Sequence, residues 1–184
     1  MSKAVIIGGS AGSFQVVIQI LEKISPSLQM PVFLCMHRLK HVRKGFEETL
    51  AYNAALQVRE PFDKEQIRKG FVYLAPANYH MLIEMERAIA LSTEDPLHHS
   101  RPSLDISFSS AADVYGIGLI SILLSGANQD GTKGVAAIKQ NHGTVIIQDP
   151  GDCEIATMCE SALKLTTPDH ILTATEIVEF VSLL

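Results

Sequence analysis

The chain has 184 residues, 47% of them apolar and 19% charged, with a formal net charge of −5 and a pI of about 5.8. That length suits one domain, 1–184, with a full-sized core, and the apolar content argues against disorder. The acidic balance argues against nucleic-acid binding, which needs a concentrated basic stripe, and no apolar run approaches the ~20 residues that cross a bilayer.

Met1-Ser2-Lys3 leads straight into an apolar run without the cleavage region of a signal peptide. Residues 4–7 are a continuous β-branched strand, of the kind covered on both faces. Over residues 14–24, Val17, Ile20, Leu21 and Ile24 fall at helical spacing, and Ser25-Pro26 ends the helix. Residues 32–36 read as a second buried strand, 44–55 as a second helix and 56–58 as a short strand. Between them, Arg38-Lys40-His41-Arg43-Lys44 is the one basic cluster, either a solvated loop or an anchor for an acidic partner.

The middle changes character. Residues 70–76 and 81–85 are strand-like runs joined by Ala77-Asn78-Tyr79-His80, with a further run at 88–91, and they read as antiparallel hairpin material beside a parallel core. Residues 93–101 are polar and histidine-bearing, hence a loop. A helix over 103–115 follows, then 118–124, the most apolar strand and therefore the expected centre of the sheet. Residues 130–140 read as a helix capped by Asp130, 144–147 as a strand, and 155–163 and 175–183 as helices. The pattern predicts an α/β fold: a three-layer, doubly wound, mostly parallel sheet with an added antiparallel hairpin. Cys35, Cys153 and Cys159 are odd in number and share no metal-site spacing, so they read as buried, reduced thiols of a cytoplasmic protein.

In such a sheet, chemistry collects where strands end and helices begin. The first such turn, Gly8-Gly9-Ser10-Ala11-Gly12, matches G-x-S-x-G, in which small neighbours expose a serine hydroxyl on a sharp turn. A glycine-rich turn with a capping serine gives the same pattern. A dinucleotide fingerprint does not fit, because Ser10 and Ser13 replace its second and third glycines, and no Walker lysine follows. The second turn opens with His37, placed to take a proton from Ser10 as general base; a loop histidine is the plainer reading. His37 and His41 are four apart but show no third metal ligand, so neither a metal nor a cofactor is expected. The third turn, Ser125-Gly126-Ala127-Asn128-Gln129-Asp130-Gly131, supplies a carboxylate that orients His37 or, alternatively, caps its helix.

These residues resemble the catalytic domain of the chemotaxis-receptor protein-glutamate methylesterases, the CheB family. The resemblance runs through Ile6-Ile7-Gly8-Gly9-Ser10-Ala11-Gly12, His37, Gly70-Phe71-Val72-Tyr73-Leu74-Ala75-Pro76 with His80, Arg101-Pro102-Ser103-Leu104-Asp105, the Asp130 turn, and Gly143-Thr144-Val145-Ile146-Ile147-Gln148-Asp149-Pro150. It implies a Ser10-His37-Asp130 triad hydrolysing glutamate γ-methyl esters on receptors or other signalling proteins, and deamidating glutamines. It further implies an oxyanion site at the backbone N–H groups of Ala11 and Ala127, with His80 and Arg101 as candidate substrate contacts. The chain departs from the family pattern at Ser13, Met36, Asn128 and Cys159, where the family commonly has Gly, Gln, Gly and Pro. It also lacks the family's usual N-terminal receiver domain, which implies a constitutively open site or a separate regulatory protein. A catalytically inactive relative that binds a signalling partner is the alternative reading.

Overall fold

Ala4–Gly9 forms β1, and every residue in it is buried. Its side chains alternate between two cores, Ala4 and Ile6 entering one while Val5 and Ile7 enter the other. That two-sided cover is why the run is apolar throughout rather than every second residue. The computed structural model describes residues 3–38 and 45–184, so most of the basic cluster, His41 included, lies outside the described residues.

After β1 come α1 (Phe14–Lys23), β2 (Val32–Met36), α2 (Phe46–Asn53), β3 (Gln57–Arg59), β4 (Glu65–Gln66), β5 (Phe71–Leu74), β6 (His80–Ile83) and β7 (Ala88–Ser92). The second half adds α3 (Leu104–Tyr115), β8 (Leu119–Leu123), α4 (Thr132–Gln140), β9 (Thr144–Gln148), α5 (Thr157–Leu165), β10 (His170–Leu172) and α6 (Ala174–Ser182). Seven parallel strands make the main sheet in the order β10-β9-β8-β1-β2-β5-β3, and a separate antiparallel sheet runs β4-β7-β6. Helices α1, α2 and α6 cover one face and α3, α4 and α5 the other, so the three-layer, doubly wound expectation holds.

Two expectations about the sheet need correction. The run 70–76 does not pair with 81–85: β5 inserts between β2 and β3 in parallel register, with Val72 opposite both Val32 and Val58. Burial decides this, since Val72, Tyr73 and Leu74 are all fully covered and suit a two-sided position. The antiparallel partner of β6 is instead β7, Met81 facing Leu91, closed by a turn with Arg87 at φ 59°. The centre of the sheet is β1, with β8 beside it, because the chain winds from β1 towards β2 and only later returns to the opposite edge.

The caps of α3 and α4 are exchanged. Asp130 does not cap its own helix through the usual N2 or N3 bond; the N-cap position of α4 is Gly131, at φ 93°. Asp130 instead accepts from the Leu104 and Asp105 N–H groups that open α3. In return Asp105 Oδ1 accepts from Gly134 N at 2.8 Å inside the first turn of α4. The exchange requires close helices: a Cβ on Gly134 would lie 2.5 Å from Phe108 Cβ and 3.2 Å from Asp105 Cα. Gly134→Ala is therefore expected to lower stability by about 1–3 kcal/mol through overpacking. That outweighs a helix-propensity gain of at most about 1 kcal/mol. A lower urea midpoint at unchanged m-value checks it.

Candidate active site

The chain reverses its winding direction at β1, whose neighbours are β8 and β2. Open α/β sheets form their crevice at such a switch point, beyond the carboxyl ends of the strands. Ser10 directly follows β1, His37 directly follows β2, and Asp130 lies in the turn after β8. Three residues far apart in sequence thus converge because three adjacent strands end side by side.

His37 Nδ1 lies 3.1 Å from Ser10 Oγ, and His37 Nε2 lies 2.7 Å from Asp130 Oδ2. An ionised carboxylate only accepts, so the proton of a neutral ring sits on Nε2 and the Nδ1 lone pair faces the serine hydroxyl. Asp130 is fully buried and takes five donors: His37 Nε2, Ser103 Oγ and the N–H groups of Leu104, Asp105 and Gly131. Burial pushes its carboxyl towards the neutral form, but the bonds from His37, Asp105 and Leu104 prevail and hold it below the ordinary carboxylate value. Orienting His37 and capping a helix are therefore compatible, because the capped helix is α3.

The serine turn is tied from two sides. Ser10 N donates to Ser125 O at 2.9 Å, while Ser13 donates to Ser10 O through both its N–H and its hydroxyl, the latter at 2.7 Å. Ser13 is buried and packs where a Cβ on Gly9 would lie 2.5 Å from its Oγ, so this departure from the family's glycine adds a bond to the turn. Gly12 has φ 82°, and a Cβ there would meet Ser125 Oγ at 2.7 Å. Ser125 Oγ in turn lies 2.9 Å from Ala11 O and accepts from Ile155 N, joining the turns after β1 and β8. No hydrogen-bond partner is found for the Ala11 or Ala127 N–H groups among the described residues. Asn128 is not among the residues with positive φ. Its side chain instead accepts from Asp130 N at 3.1 Å, an Asx turn that shapes the aspartate loop.

Beside Ser10 and His37 opens a cleft of about 720 Å³, lined by Phe14, Met36, Phe46, Asn78, Pro96 and Arg101 among others. Arg101 lines the cleft, its guanidinium held by Asn78 Oδ1 and by the carbonyls of Thr93 and Glu94. His80 does not line it. It is fully buried, its Nδ1 accepts from Ser103 N and its Nε2 donates to Asp95 O, so it braces the loop before α3 and does not face the cleft. The loop over 93–101 carries His98 and His99 at φ 50° and 61°, a conformation that non-glycine residues hold only when their surroundings impose it.

His98, Asp105 and Asp130 form the one three-membered cluster with metal-ligand geometry among the described residues, with ligand atoms within 4.8 Å of one another. A cation there would compete with the donors already on Asp130. His98 Nε2 lies 3.3 Å from Asp105 Oδ2, and burial raises the Asp105 carboxyl above its ordinary value against the opposing bond from Gly134. Sequence reasoning did not find Ser103, Asp105 or Ser125 as supports of the site. A serine before an apolar helix signals only a local cap, whereas these bonds reach across 25 residues or more.

The family model for CheB methylesterase matches residues 5–181. A relative from Leptospira interrogans is 36% identical over 177 residues, covering 96% of this chain and 92% of its own. The protein-glutamate methylesterase/protein-glutamine glutaminase of Clostridium acetobutylicum is 33% identical over 170 residues, and the chain spans 49% of its length. The crystal structure of the Thermotoga maritima CheB methylesterase catalytic domain superposes with a TM-score of 0.92 at 29% identity, covering 99% of this chain and 98% of that one. On sequence and structure together, the chain belongs to the CheB methylesterase family.

Proposed function

We propose that this chain hydrolyses γ-methyl esters of glutamate on receptors or other signalling proteins, and γ-amides of glutamine at the same site. The Ser10–His37–Asp130 hydrogen-bonded chain at the mouth of the cleft carries this reading. Ser10 Oγ attacks the ester carbonyl carbon and its proton passes to His37 Nδ1. Asp130 holds the ring through Nε2 and stabilises the imidazolium. The tetrahedral oxyanion is received by the Ala11 and Ala127 N–H groups, and one such donor supplies about 10²–10³ in rate. Collapse breaks the ester C–O bond, His37 protonates the departing methoxide to methanol, and glutamate stays as an ester of Ser10. Water, deprotonated by His37, then releases the carboxylate and restores Ser10. An amide follows the same course with ammonia leaving.

Favouring this reading over an inactive binding module, Ser13 and Asn128 add bonds to the two turns and remove none from the triad. We place the enzyme in the cytoplasm on its membership of the CheB family. Separately, no helix among the described residues is long and apolar enough to cross a membrane. The test is methanol release from a helical peptide bearing γ-methyl glutamate, with ammonia release from its glutamine counterpart. Absence of both would overturn the proposal. Arg101 shows no carboxylate partner among the described residues, so its charge is available to the acidic flanks of a glutamate-rich helix. Arg101→Ala is expected to raise KM roughly tenfold, about 1.4 kcal/mol, with kcat changed much less. A KM-against-kcat comparison on that peptide checks it.

A further inference from the structure

Two of the three cysteines meet outside the triad. Cys153 Sγ lies 3.6 Å from Cys159 Sγ, the first on the loop after β9 and the second in the first turn of α5. Both are free thiols; Cys153 is half-exposed and Cys159 is fully buried. A disulfide needs its sulfurs about 2.05 Å apart, so closing this pair asks the two sulfurs to approach by about 1.5 Å. Cys35 lies in the core of β2, fully buried. It serves as an internal control.

We propose that Cys153 and Cys159 form a reversible dithiol–disulfide site that is oxidised by hydroperoxides. The two thiols are unequal in the way this chemistry uses. The bond with Cys159 holds the Cys153 thiol below its ordinary value, against burial and the nearby Asp152 and Asp149. That same bond, followed by burial, pushes the Cys159 thiol up. Cys153 is thus the accessible thiolate that attacks first, and Cys159 resolves. The Cys153 sulfur takes one peroxide oxygen, the O–O bond breaks, and hydroxide leaves. Cys159 sulfur then attacks the sulfenic sulfur of Cys153, whose hydroxyl leaves as water with the Cys159 proton. The proton that Cys153 gave up converts the first hydroxide to water, so two thiols and one hydrogen peroxide become one disulfide and two waters. This reading does not depend on the hydrolytic function.

The position gives the bridge a structural consequence. The residues it encloses hold the turn after β8 and press on the serine turn: Ile155 O accepts from Gly126 N, Met158 N donates to Gly126 O, and Glu154 packs where a Cβ on Gly12 would meet its own Cβ at 2.6 Å. Closing the ring fastens the segment that holds the turn after β8.

The test treats the folded, reduced chain with a small excess of hydrogen peroxide and measures intact mass, then alkylates under denaturing conditions. A mass loss of about 2 Da is expected, with Cys35 as the one cysteine of the three left to alkylate and a linked 153–159 peptide on digestion. Dithiothreitol should restore all three. Cys153→Ser and the milder Cys159→Ala should each abolish the mass loss, while Cys35→Ala should retain it. Sulfinic acid at Cys153 with Cys159 still reduced, or a disulfide-linked dimer, would overturn the proposal.

Discussion

Ser10→Ala is expected to lower kcat for methyl-ester hydrolysis by about 10⁶-fold, the scale at which a triad acts as a unit. The substitution removes one atom, Oγ, whose partner is His37 Nδ1. Everything that shapes the turn remains, because Ser10 is held by its main chain: its N–H on Ser125 O, and its carbonyl under the Ser13 N–H and hydroxyl. Stability should therefore stay within about 0.5 kcal/mol of wild type. The Ala11 and Ala127 N–H groups proposed to receive the oxyanion also survive, so a residual acceleration of about 10³-fold over water is expected. A fluorophosphonate probe should label the wild type and not the variant. Labelling that persists in Ser10→Ala at unchanged rate would remove Ser10 from the mechanism.

The strand ends were legible in the sequence for a physical reason. A strand covered on both faces is apolar throughout, so β1 and β2 stand out as runs, and the first polar residues after them, Ser10 and His37, mark the sheet's carboxyl edge. Their partnership with Asp130 was legible as three reactive types in three equivalent turns and through the resemblance to the CheB family. Illegible was anything decided by non-local pairing. The 70–76 run has the composition of a hairpin strand and of a buried parallel strand alike, and its place between β2 and β3 is set by tertiary burial. His80 stands at a strand boundary as His37 does, opening β6 where His37 follows β2, yet the Ser103 N–H and the Asp95 carbonyl occupy both its nitrogens. Sequence spacing marks candidate residues; it does not say which donors reach them first. The same holds for Asp130, whose position before α4 signals a cap on that helix while the carboxylate reaches α3.

That cap on α3 means that replacing Asp130 costs both chemistry and folding, unlike replacing Ser10. In Asp130→Asn, one carboxylate oxygen becomes an NH₂ group facing donors. If it replaces Oδ2, Leu104 N and His37 Nε2 lose their acceptor; if it replaces Oδ1, Asp105 N and Gly131 N do. Ser103 can turn its hydroxyl to accept, but the backbone N–H groups cannot. Stability should fall by about 1–3 kcal/mol for each buried N–H left without an acceptor, and by more in Asp130→Ala, which strips all five donors. The rate should fall by about 10⁴-fold in Asp130→Asn, because the imidazole is no longer held in the tautomer that presents the Nδ1 lone pair to Ser10. The pH dependence identifies the carboxylate as the cause. Its folded value is depressed from 3.8, so its contribution to stability is complete above about pH 4 and is lost as the pH falls through that lower folded value. Urea midpoints of wild type and Asp130→Asn should therefore differ by a constant amount from about pH 5 upward and converge in acid. Asp105, whose value is raised first by burial, trends the opposite way in both proteins; the part due to burial cancels from the difference, and the smaller part due to the Asp130 charge belongs to the effect being measured. A gap that stays constant into acid would mean that packing, and not the charge on Asp130, holds α3 against the site.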